Sequence, residues 1–287
     1  MALPPPLESI ARGLADEGIS RLHDLLRPEQ VAAVVAHFRA RPCLNAHVPV
    51  SSDGVLRRLG EGAEAFHYGC YRLEDIVEAP HLIELANSPA LLAVAERYLG
   101  CTPTLYSLNA WWSFNGQERP AEVSQTFHRD LDDFRFCTLF VYLTDVDDES
   151  GPHVYVRRTH RHALLEQEMA RAKASALERL DAPIRDAVIR GALTRGQGYK
   201  LDSAVLGLLG HLVEIVTGPA GSGLIADTYG FHMGIPPVNR ARLIFWSRYG
   251  MHVNEGPGSA PVDASLIASR IHWDERAAYI NRALIRL

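Results

Sequence analysis

A His-x-Asp pair is the feature of this sequence with the clearest chemistry. His128 and Asp130 lie in the run QTFHRD at 125–130. On a strand, residues two apart point to the same face, so both side chains can reach one metal ion. His232, at the end of a later predicted strand, offers a third ligand. Two histidines and one carboxylate form the facial triad of non-haem iron(II) oxygenases, which leaves metal positions open for substrate chemistry.

The His-x-Asp pattern by itself is weak evidence, because it arises often by chance. It gains weight from Arg242, which stands ten residues after His232, beyond the turn IPPVN. We expect the strand RARLIFW at 240–246 to run antiparallel to the His232 strand and to place Arg242 beside the metal. A guanidinium fork suits a bidentate grip on a carboxylate. The arrangement therefore favours a co-substrate that chelates iron at one end and carries a free carboxylate at the other.

The N-terminal third of the chain, which must support this site, is predicted to be mainly helical. Residues 7–41 have helical texture, clearest over Pro28–Arg41, where apolar residues recur at three- and four-residue spacings. The polar, glycine-containing segment Ser51–Gly69 predicts a loop, and His81–Asn87 predicts a short helix. Ser88–Gly100 predicts a longer helix, with a serine cap, a proline in the first turn and a glycine at its end.

Strand-like segments, rich in β-branched and aromatic residues, begin near Thr104 and fall in two blocks around a helical insert at about 162–210. The stretch 263–287 predicts a C-terminal helix. Strands clustered in blocks favour a sandwich or barrel with packed helices over alternating βαβ units. We therefore expect a mainly β, α+β fold in one domain, 1–287, with helices in 1–100, a β core at 101–255 that carries the insert, and the C-terminal helix.

Composition narrows the function classes. The chain has 287 residues, is 47% hydrophobic, and carries a formal net charge of -5, which gives no support for nucleic-acid or membrane-surface binding. Four scattered cysteines without a CxxC pair favour reduced thiols in a cytoplasmic protein. Neither a signal peptide nor an apolar run of about 18 residues is evident. The expected partner is therefore a small molecule, with no nucleic acid and no membrane.

Two longer runs resemble the phytanoyl-CoA dioxygenase family. They are QTFHRDLDDFRFCTLFVYLTDVDDESGPHVYV at 125–156, followed by THR at 159–161, and HMGIPPVNRARL at 232–243. A weaker similarity extends to the N-terminal helices and to 80–100, whereas 163–210 is not typical of the family. The resemblance implies a double-stranded β-helix (jelly-roll, cupin-like) core and the use of iron(II), 2-oxoglutarate and dioxygen.

Carried onto this sequence, the resemblance implies that His128, Asp130 and His232 bind iron. It also implies that Arg242 binds the distal carboxylate of 2-oxoglutarate. The alternative belongs to another functional class: it is a non-catalytic jelly-roll protein that binds a small molecule or a metal.

The strand that follows the His-x-Asp pair has one mixed face and one apolar face. Thr138 and Phe140 lie on the mixed face, which we expect to line the pocket and, with Gln125, to contact the co-substrate. For Phe140, core packing is an equal alternative. Tyr106 and Trp111 are candidates for a substrate wall, although large aromatic side chains more often pack in a core.

A basic segment lies next to the expected mouth of the pocket. Where the family usually has Pro-Gly-Ser-His, this chain has Arg157-Arg158-Thr159-His160, so we expect the glycine-dependent turn geometry to be lost. Arg157 and Arg158 are candidates for binding an anionic group of the substrate, such as a phosphate, a carboxylate or a phosphate-bearing carrier. The alternative is solvated surface.

The reaction implied by the resemblance is hydroxylation of an unactivated C–H bond of a small metabolite, with succinate and carbon dioxide as co-products. Desaturation, epimerisation and cyclisation by the same oxidant stay open, because they depend on substrate placement. Halogenation ranks lower, since Asp130 occupies the metal position that chloride would need.

Overall fold

Two antiparallel β-sheets that face each other form the centre of the protein. A computed structural model describes residues 3–115, 123–171, 205–252, 260–267 and 269–287. In chain order, the strands are β1 (Ile19–Leu22), β2 (Cys43–Asn45), β3 (Leu56–Arg57), β4 (Tyr68–Cys70), β5 (Thr104–Ser113), β6 (Phe136–Tyr142), β7 (His153–Val156), β8 (Val213–Val216), β9 (Gly223–Ala226), β10 (His232–Gly234), β11 (Arg242–Gly250), β12 (Val262–Asp263) and β13 (Ile285–Arg286).

The larger sheet has eight strands in the order β1-β9-β6-β11-β5-β4-β2-β3. The smaller sheet has three strands in the order β10-β7-β8, and β12 and β13 form a separate parallel pair. All strand pairs within the two main sheets are antiparallel. Strands that are neighbours in the sheets are mostly distant in sequence, as in a sandwich with crossing connections.

The helices in the described part of the chain are α1 (Pro5–Glu17), α2 (Pro28–Arg39), α3 (Leu73–Glu78), α4 (Leu82–Ala86), α5 (Pro89–Leu99), α6 (His162–Arg171) and α7 (Glu275–Asn281). The first five and α7 pack on one side of the larger sheet, whereas α6 packs through Leu165 against the smaller sheet. Residues 205–209 are also helical. None of the helices that the structure describes combines the length and apolarity needed to cross a membrane.

Strand β6 separates the helical core from the space between the sheets. Cys137, Leu139 and Val141 pack in the cluster that contains the helices, whereas Phe140 and Tyr142 pack with side chains of both sheets. Both faces of the strand are buried along its whole length. The apolar face of this strand therefore packs against the helices, and its other face lies between the two sheets.

The N-terminal region confirms some predicted helices and corrects others. The predicted helix at Ser88–Gly100 is present as α5: the Ser88 side chain accepts a hydrogen bond from the Leu91 backbone N–H, and Gly100 has a φ of 80°. The prediction of a loop over Ser51–Gly69 is wrong at β3 and at the start of β4. Short strands such as these gain their stability from pairing with neighbours, which the local composition does not show.

The prediction of mostly helix over 7–41 is also wrong at Ile19–Leu22. This segment is the edge strand β1, and it pairs with β9. Gly18 ends α1 with a φ of 82° and so turns the chain into the sheet.

The predicted C-terminal helix over 263–287 is wrong for most of its length. Only Glu275–Asn281 is α-helical, and it begins after Asp274, whose side chain accepts a hydrogen bond from the Ala277 backbone N–H. Strands β12 and β13 pair on either side of it. Tertiary pairing has overridden the helical composition of this stretch. The helical insert is borne out by α6 and by residues 205–209, and its part at 172–204 lies outside the described residues.

The connection after His232 crosses between the two sheets. Strand β10, which carries His232, pairs with β7 in the smaller sheet, whereas β11 pairs with β5 and β6 in the larger sheet. The two strands therefore lie in different sheets. The IPPVN turn carries the chain from one sheet to the other, because the prolines lack the backbone N–H groups that a continuing ladder requires.

Asp227 links the helical layer to the segment that carries His232. Its carboxylate accepts hydrogen bonds from the Tyr98 hydroxyl on α5 and from the Tyr229 backbone N–H. Burial raises the pKa of Asp227 to about 6, although these two donors and Arg129 oppose the rise. A carboxylate that is ionised at neutral pH in this position therefore reduces stability.

We expect Asp227→Asn to remove the loss of folding stability that ionisation of this buried carboxyl causes as the pH rises. Below the ordinary pKa of 3.8 the carboxyl is protonated in both the folded and unfolded states, so it adds no cost. Above about 6 it is ionised in both states, and the folded state then bears a cost of roughly 3 kcal/mol for the buried charge. The free energy of unfolding of the variant, relative to wild type, should increase by up to that amount between about pH 4 and pH 7. Urea denaturation at several pH values measures this difference.

Tyr98→Phe is the matched control for this experiment, because it keeps the carboxylate and removes one donor. Because loss of this donor raises the pKa of Asp227 further, the loss of stability with rising pH should be larger and extend to higher pH. A difference between Asp227→Asn and wild type that is the same at every pH would contradict the raised pKa.

Candidate metal centre

The three predicted metal ligands lie together beside strand β10. His232 begins this strand, and His128 lies opposite it, in the loop between the 3-10 helix Val123–Gln125 and β6. The His128 N–H donates to the His232 carbonyl at 3.0 Å, and the His232 N–H donates to the His128 carbonyl at 3.1 Å. The Asp130 N–H donates to the Thr228 carbonyl at 2.9 Å. One ligand atom from each of His128, Asp130 and His232 lies within 4.8 Å of the other two.

Both histidine rings are oriented by the backbone. His128 Nδ1 lies 2.8 Å from the Thr126 carbonyl oxygen, and His232 Nδ1 lies 3.0 Å from that of Gly230. A carbonyl oxygen only accepts, so Nδ1 carries the proton in each ring and the Nε2 lone pair is free. The Nε2 atoms of His128 and His232 lie 3.9 and 3.7 Å from the Asp130 carboxylate. Two imidazole nitrogens and a carboxylate oxygen fit a first-row divalent metal such as iron(II).

Arg248 is the counter-ion of Asp130. Its Nη2 donates to Asp130 Oδ2 at 2.6 Å, and its Nη1 donates to Asp132. Burial alone would raise the pKa of Asp130, but Arg248 and the two histidines hold it well below its usual range. The guanidinium also lies over the ring of Trp246, 4.5 Å from its centroid. Asp130 is therefore ionised and held in place, as a metal ligand must be.

His232 is neutral at physiological pH. Burial, and next the charge of His128, lower its pKa to about 3. Its Nε2 can therefore bind a metal without first losing a proton.

A cavity of about 390 Å³ adjoins the three ligands. One face of β11 lines it with Arg242, Ile244, Trp246 and Arg248, in the alternation expected of a strand. Part of its wall is aromatic: Trp111 meets Trp246 edge to face, with 6.0 Å between the ring centroids. The volume is in the range of small-molecule sites.

A β-bulge brings Tyr106 into this cavity. The register between β11 and β5 shifts at Arg248 and Tyr249, so that Tyr106 has no direct partner. Tyr106 and its neighbour Ser107 both line the cavity, although adjacent strand residues normally face opposite sides. The Tyr106 hydroxyl donates to Asp132 at 2.9 Å. The predicted wall residues Tyr106 and Trp111 are thus both cavity-lining.

Arg242 shares the cavity with the metal ligands, and its guanidinium reaches β10 from the opposite sheet. Nη1 donates to the Gly151 carbonyl, and Nη2 lies 3.3 Å from the Ser113 hydroxyl. Nη2 is also 3.3 Å from where a Cβ at Gly234 would lie, so any side chain at this position would crowd the guanidinium. Among the described residues no carboxylate pairs with Arg242, and burial lowers its pKa. A buried cation without a counter-ion favours an anionic ligand.

The three remaining co-substrate candidates have different environments. Gln125 and Phe140 line the cavity, and Gln125 Oε1 lies 2.8 Å from His67 Nε2. Thr138 is fully buried and does not line it. Its hydroxyl is hydrogen-bonded at 3.3 Å to that of Thr228, whose side chain in turn bonds Asp130. Thr138 thus contacts the ligand Asp130 only indirectly, through Thr228, and from outside the cavity.

Arg157 and Arg158 are not among the described residues that line the cavity. Arg157 lies 3.9 Å from Glu17, and Arg158 lies 3.3 Å from the buried Glu168, so both contact helices instead. The expected loss of the glycine-type turn is wrong: Arg158 has a φ of 69°, in the left-handed region. The Arg158 N–H donates to the Glu17 carbonyl at 2.8 Å, which helps to hold this conformation.

Among the cavity residues that sequence reasoning missed, Arg248 and His153 are the two with the clearest chemistry. Arg248 lies six residues after Arg242, on the same face of β11, so the alternation of that strand contained a usable signal. His153 comes from the smaller sheet, and no local pattern distinguishes it from a core residue. Burial, and next the charges of His232 and Arg242, hold its pKa well below the usual range.

Comparison with known proteins shows the fold. No protein-family model matches the chain, and no curated protein matches its sequence. Among solved structures, the non-haem α-ketoglutarate-dependent epimerase SnoN from nogalamycin biosynthesis matches with a TM-score of 0.53 and 18% identity, over 91% of this chain and 94% of SnoN. HygX from Streptomyces hygroscopicus, solved with nickel, 2-oxoglutarate and hygromycin B, matches with a TM-score of 0.54 and 14% identity, over 86% and 87% of the two chains.

AviO1 from Streptomyces viridochromogenes Tue57 matches with a TM-score of 0.51 and 15% identity, over 91% of this chain and all of AviO1, 100%. At such identities the likeness establishes the fold. The expected jelly-roll core with packed helices is therefore confirmed. Membership of the phytanoyl-CoA dioxygenase family stays a prediction, because no family model matches.

We expect His232→Ala and Asp130→Ala to weaken metal binding strongly, because each removes one of three convergent ligands. Binding of iron(II), measured anaerobically by calorimetry, should fall by about 100-fold or more. His160→Ala is the matched control: His160 is also a buried histidine, but it does not line this cavity. Unchanged iron affinity in His232→Ala would show that the three side chains do not form the site.

Proposed function

We propose that this protein is an iron(II)- and 2-oxoglutarate-dependent oxygenase that acts on a small molecule. The observation that carries the proposal is that one cavity contains both the two-histidine, one-carboxylate cluster and a buried arginine that has no carboxylate partner among the described residues. The fold is also that of SnoN, which is α-ketoglutarate-dependent, and of HygX, which binds 2-oxoglutarate.

The metal would be bound on one face of its coordination sphere by His128, Asp130 and His232. The opposite face would be open to the cavity. The backbone bonds to the two Nδ1 atoms keep Nε2 aimed at the metal, and Arg248 keeps the Asp130 carboxylate ionised and oriented. When bound, iron(II) with 2-oxoglutarate and dioxygen supplies an oxidant that can remove hydrogen from an unactivated C–H bond.

Arg242 would bind the distal carboxylate of the co-substrate. Its guanidinium lies against Gly234, two residues beyond His232, which corresponds to about 7 Å along the strand. A short dicarboxylate can therefore reach both the metal and the arginine. Phe140 and Ile244 line the cavity with apolar surface and limit the access of water to this path.

The substrate would lie against the aromatic wall formed by Tyr106, Trp111 and Trp246. Large flat side chains bury substantial apolar area and hold rings or sugars in one orientation. That orientation selects the C–H bond that faces the metal. We infer hydroxylation as the outcome. The epimerase SnoN and the carbocyclase SnoK share the fold, so epimerisation and ring closure are the alternatives to test.

The proposal is tested by two measurements on the full chain. Under anaerobic conditions, 2-oxoglutarate added to the iron(II)-loaded protein should produce a weak visible charge-transfer band. In air, succinate should then be released, and faster with the true substrate; a screen of metabolites, including carrier-linked ones, identifies it. If iron binds but 2-oxoglutarate neither binds nor yields succinate, the protein is a metal-binding jelly-roll without this activity.

We expect Arg242→Met to weaken 2-oxoglutarate binding by about 100-fold, because it removes a buried charged partner of a carboxylate. Iron(II) affinity should be unchanged, since the arginine does not touch the three ligands. Titration of the visible band measures both. Arg240→Met is the matched control, because Arg240 pairs with Asp147 outside the cavity and should leave both affinities unaltered. Wild-type affinity for 2-oxoglutarate in Arg242→Met would refute the assigned role.

A further inference from the structure

His153 lines the cavity next to the metal ligand His232. On β7 it lies directly opposite Gly234 of β10, and Tyr155 lies opposite His232. Gly234 has no side chain, and the guanidinium of Arg242 lies nearest to the place that its Cβ would take. The ring is nearly parallel to that of His232, with 5.6 Å between the centroids and 21° between the planes, and it packs against Phe140 at 4.6 Å.

The Nε2 atom of His153 is buried and lacks a hydrogen-bond partner within the described parts of the chain. The residue is only 5% exposed, and it lines the cavity. A buried polar atom without a partner is costly, and buried polar atoms are nearly always paired in folded proteins. A ligand bound in the cavity could therefore supply the hydrogen-bond partner that Nε2 lacks.

Arg242, which lines the same cavity, also has a buried unpaired atom. Its Nε is buried and without a partner among the described residues. Its guanidinium contacts the Gly151 carbonyl, two residues before His153, and lies against Gly234, which is opposite His153 in the sheet. Two buried groups that can donate hydrogen bonds thus converge on one strand position, two residues from a metal ligand.

We propose that His153 is a co-substrate-binding residue, which donates a hydrogen bond from Nε2 to a carboxylate oxygen of 2-oxoglutarate beside Arg242. This inference rests on the proposed function. An imidazole ring nitrogen can donate one directed hydrogen bond to a carboxylate oxygen. This role also explains why a histidine occurs in a strand that is otherwise buried core. The other residues of β7 are Val154, Tyr155 and Val156.

Three variants separate hydrogen bonding from packing. His153→Phe keeps an aromatic ring against His232 and Phe140 but removes the donor. His153→Gln keeps a donor but removes the ring, and His153→Leu is a second apolar variant in case the larger ring is not accommodated. His160→Phe is the matched control, because His160 is equally buried and lies outside the cavity.

The affinity of the anaerobic iron(II)-loaded protein for 2-oxoglutarate is measured by calorimetry and by titration of the visible band, with iron affinity measured in parallel. A hydrogen bond to a charged group predicts that His153→Phe and His153→Leu bind 2-oxoglutarate about ten-fold or more weakly, with iron affinity retained. His153→Gln should recover most of the loss, and His160→Phe should match wild type.

Two results would overturn the inference and leave the proposed function intact. One is wild-type affinity for 2-oxoglutarate in His153→Phe and His153→Leu. The other is an equal loss in the Phe and Gln variants accompanied by weaker iron binding, which would assign His153 to packing against His232. Failure of the wild-type protein itself to bind 2-oxoglutarate would instead refute the proposed function, and this inference with it.

Discussion

The backbone pairing between His128 and His232 is the constraint on which the site depends. The two residues are 104 positions apart, and they exchange both of their backbone hydrogen bonds outside any longer ladder. In such a pair the side chains stand on the same face at close range, so the two imidazoles meet with 4.1 Å between their centroids. The neighbouring bond from Asp130 to Thr228 then brings the carboxylate to the same point.

The electrostatics of the cavity follow from the alternation of a single strand. β11 presents Arg242 and Arg248 from the same face, but in different surroundings. Arg248 is neutralised by Asp130 and Asp132, so its charge serves to hold a ligand carboxylate. Arg242 contacts only a carbonyl and a hydroxyl among the described residues, which leaves a buried positive charge available for an anion. One strand thus supplies both a partner for the metal ligand and a receptor for a carboxylate.

Several errors in the sequence-based prediction have a common physical origin. Strand β1, the short strands β3 and β4, and the β12–β13 pair are stabilised by partners far away in sequence, so local composition did not indicate them. The IPPVN turn joins the two sheets, a connection that residue order alone did not indicate. The left-handed conformation of Arg158 shows that a backbone hydrogen bond and an ion pair can hold a turn that glycine would adopt more readily.

The sequence by itself determined the identities of the candidate metal ligands and of Arg242, because their residue types and spacings are local patterns. It also determined the mixed and apolar faces of β6, since alternation along a strand depends only on residue order. The tertiary structure alone decided that Arg248 neutralises Asp130, that a bulge brings Tyr106 into the cavity, and that His153 stands opposite Gly234. These features arise from register between strands, and register is set by the packing of the whole sheet.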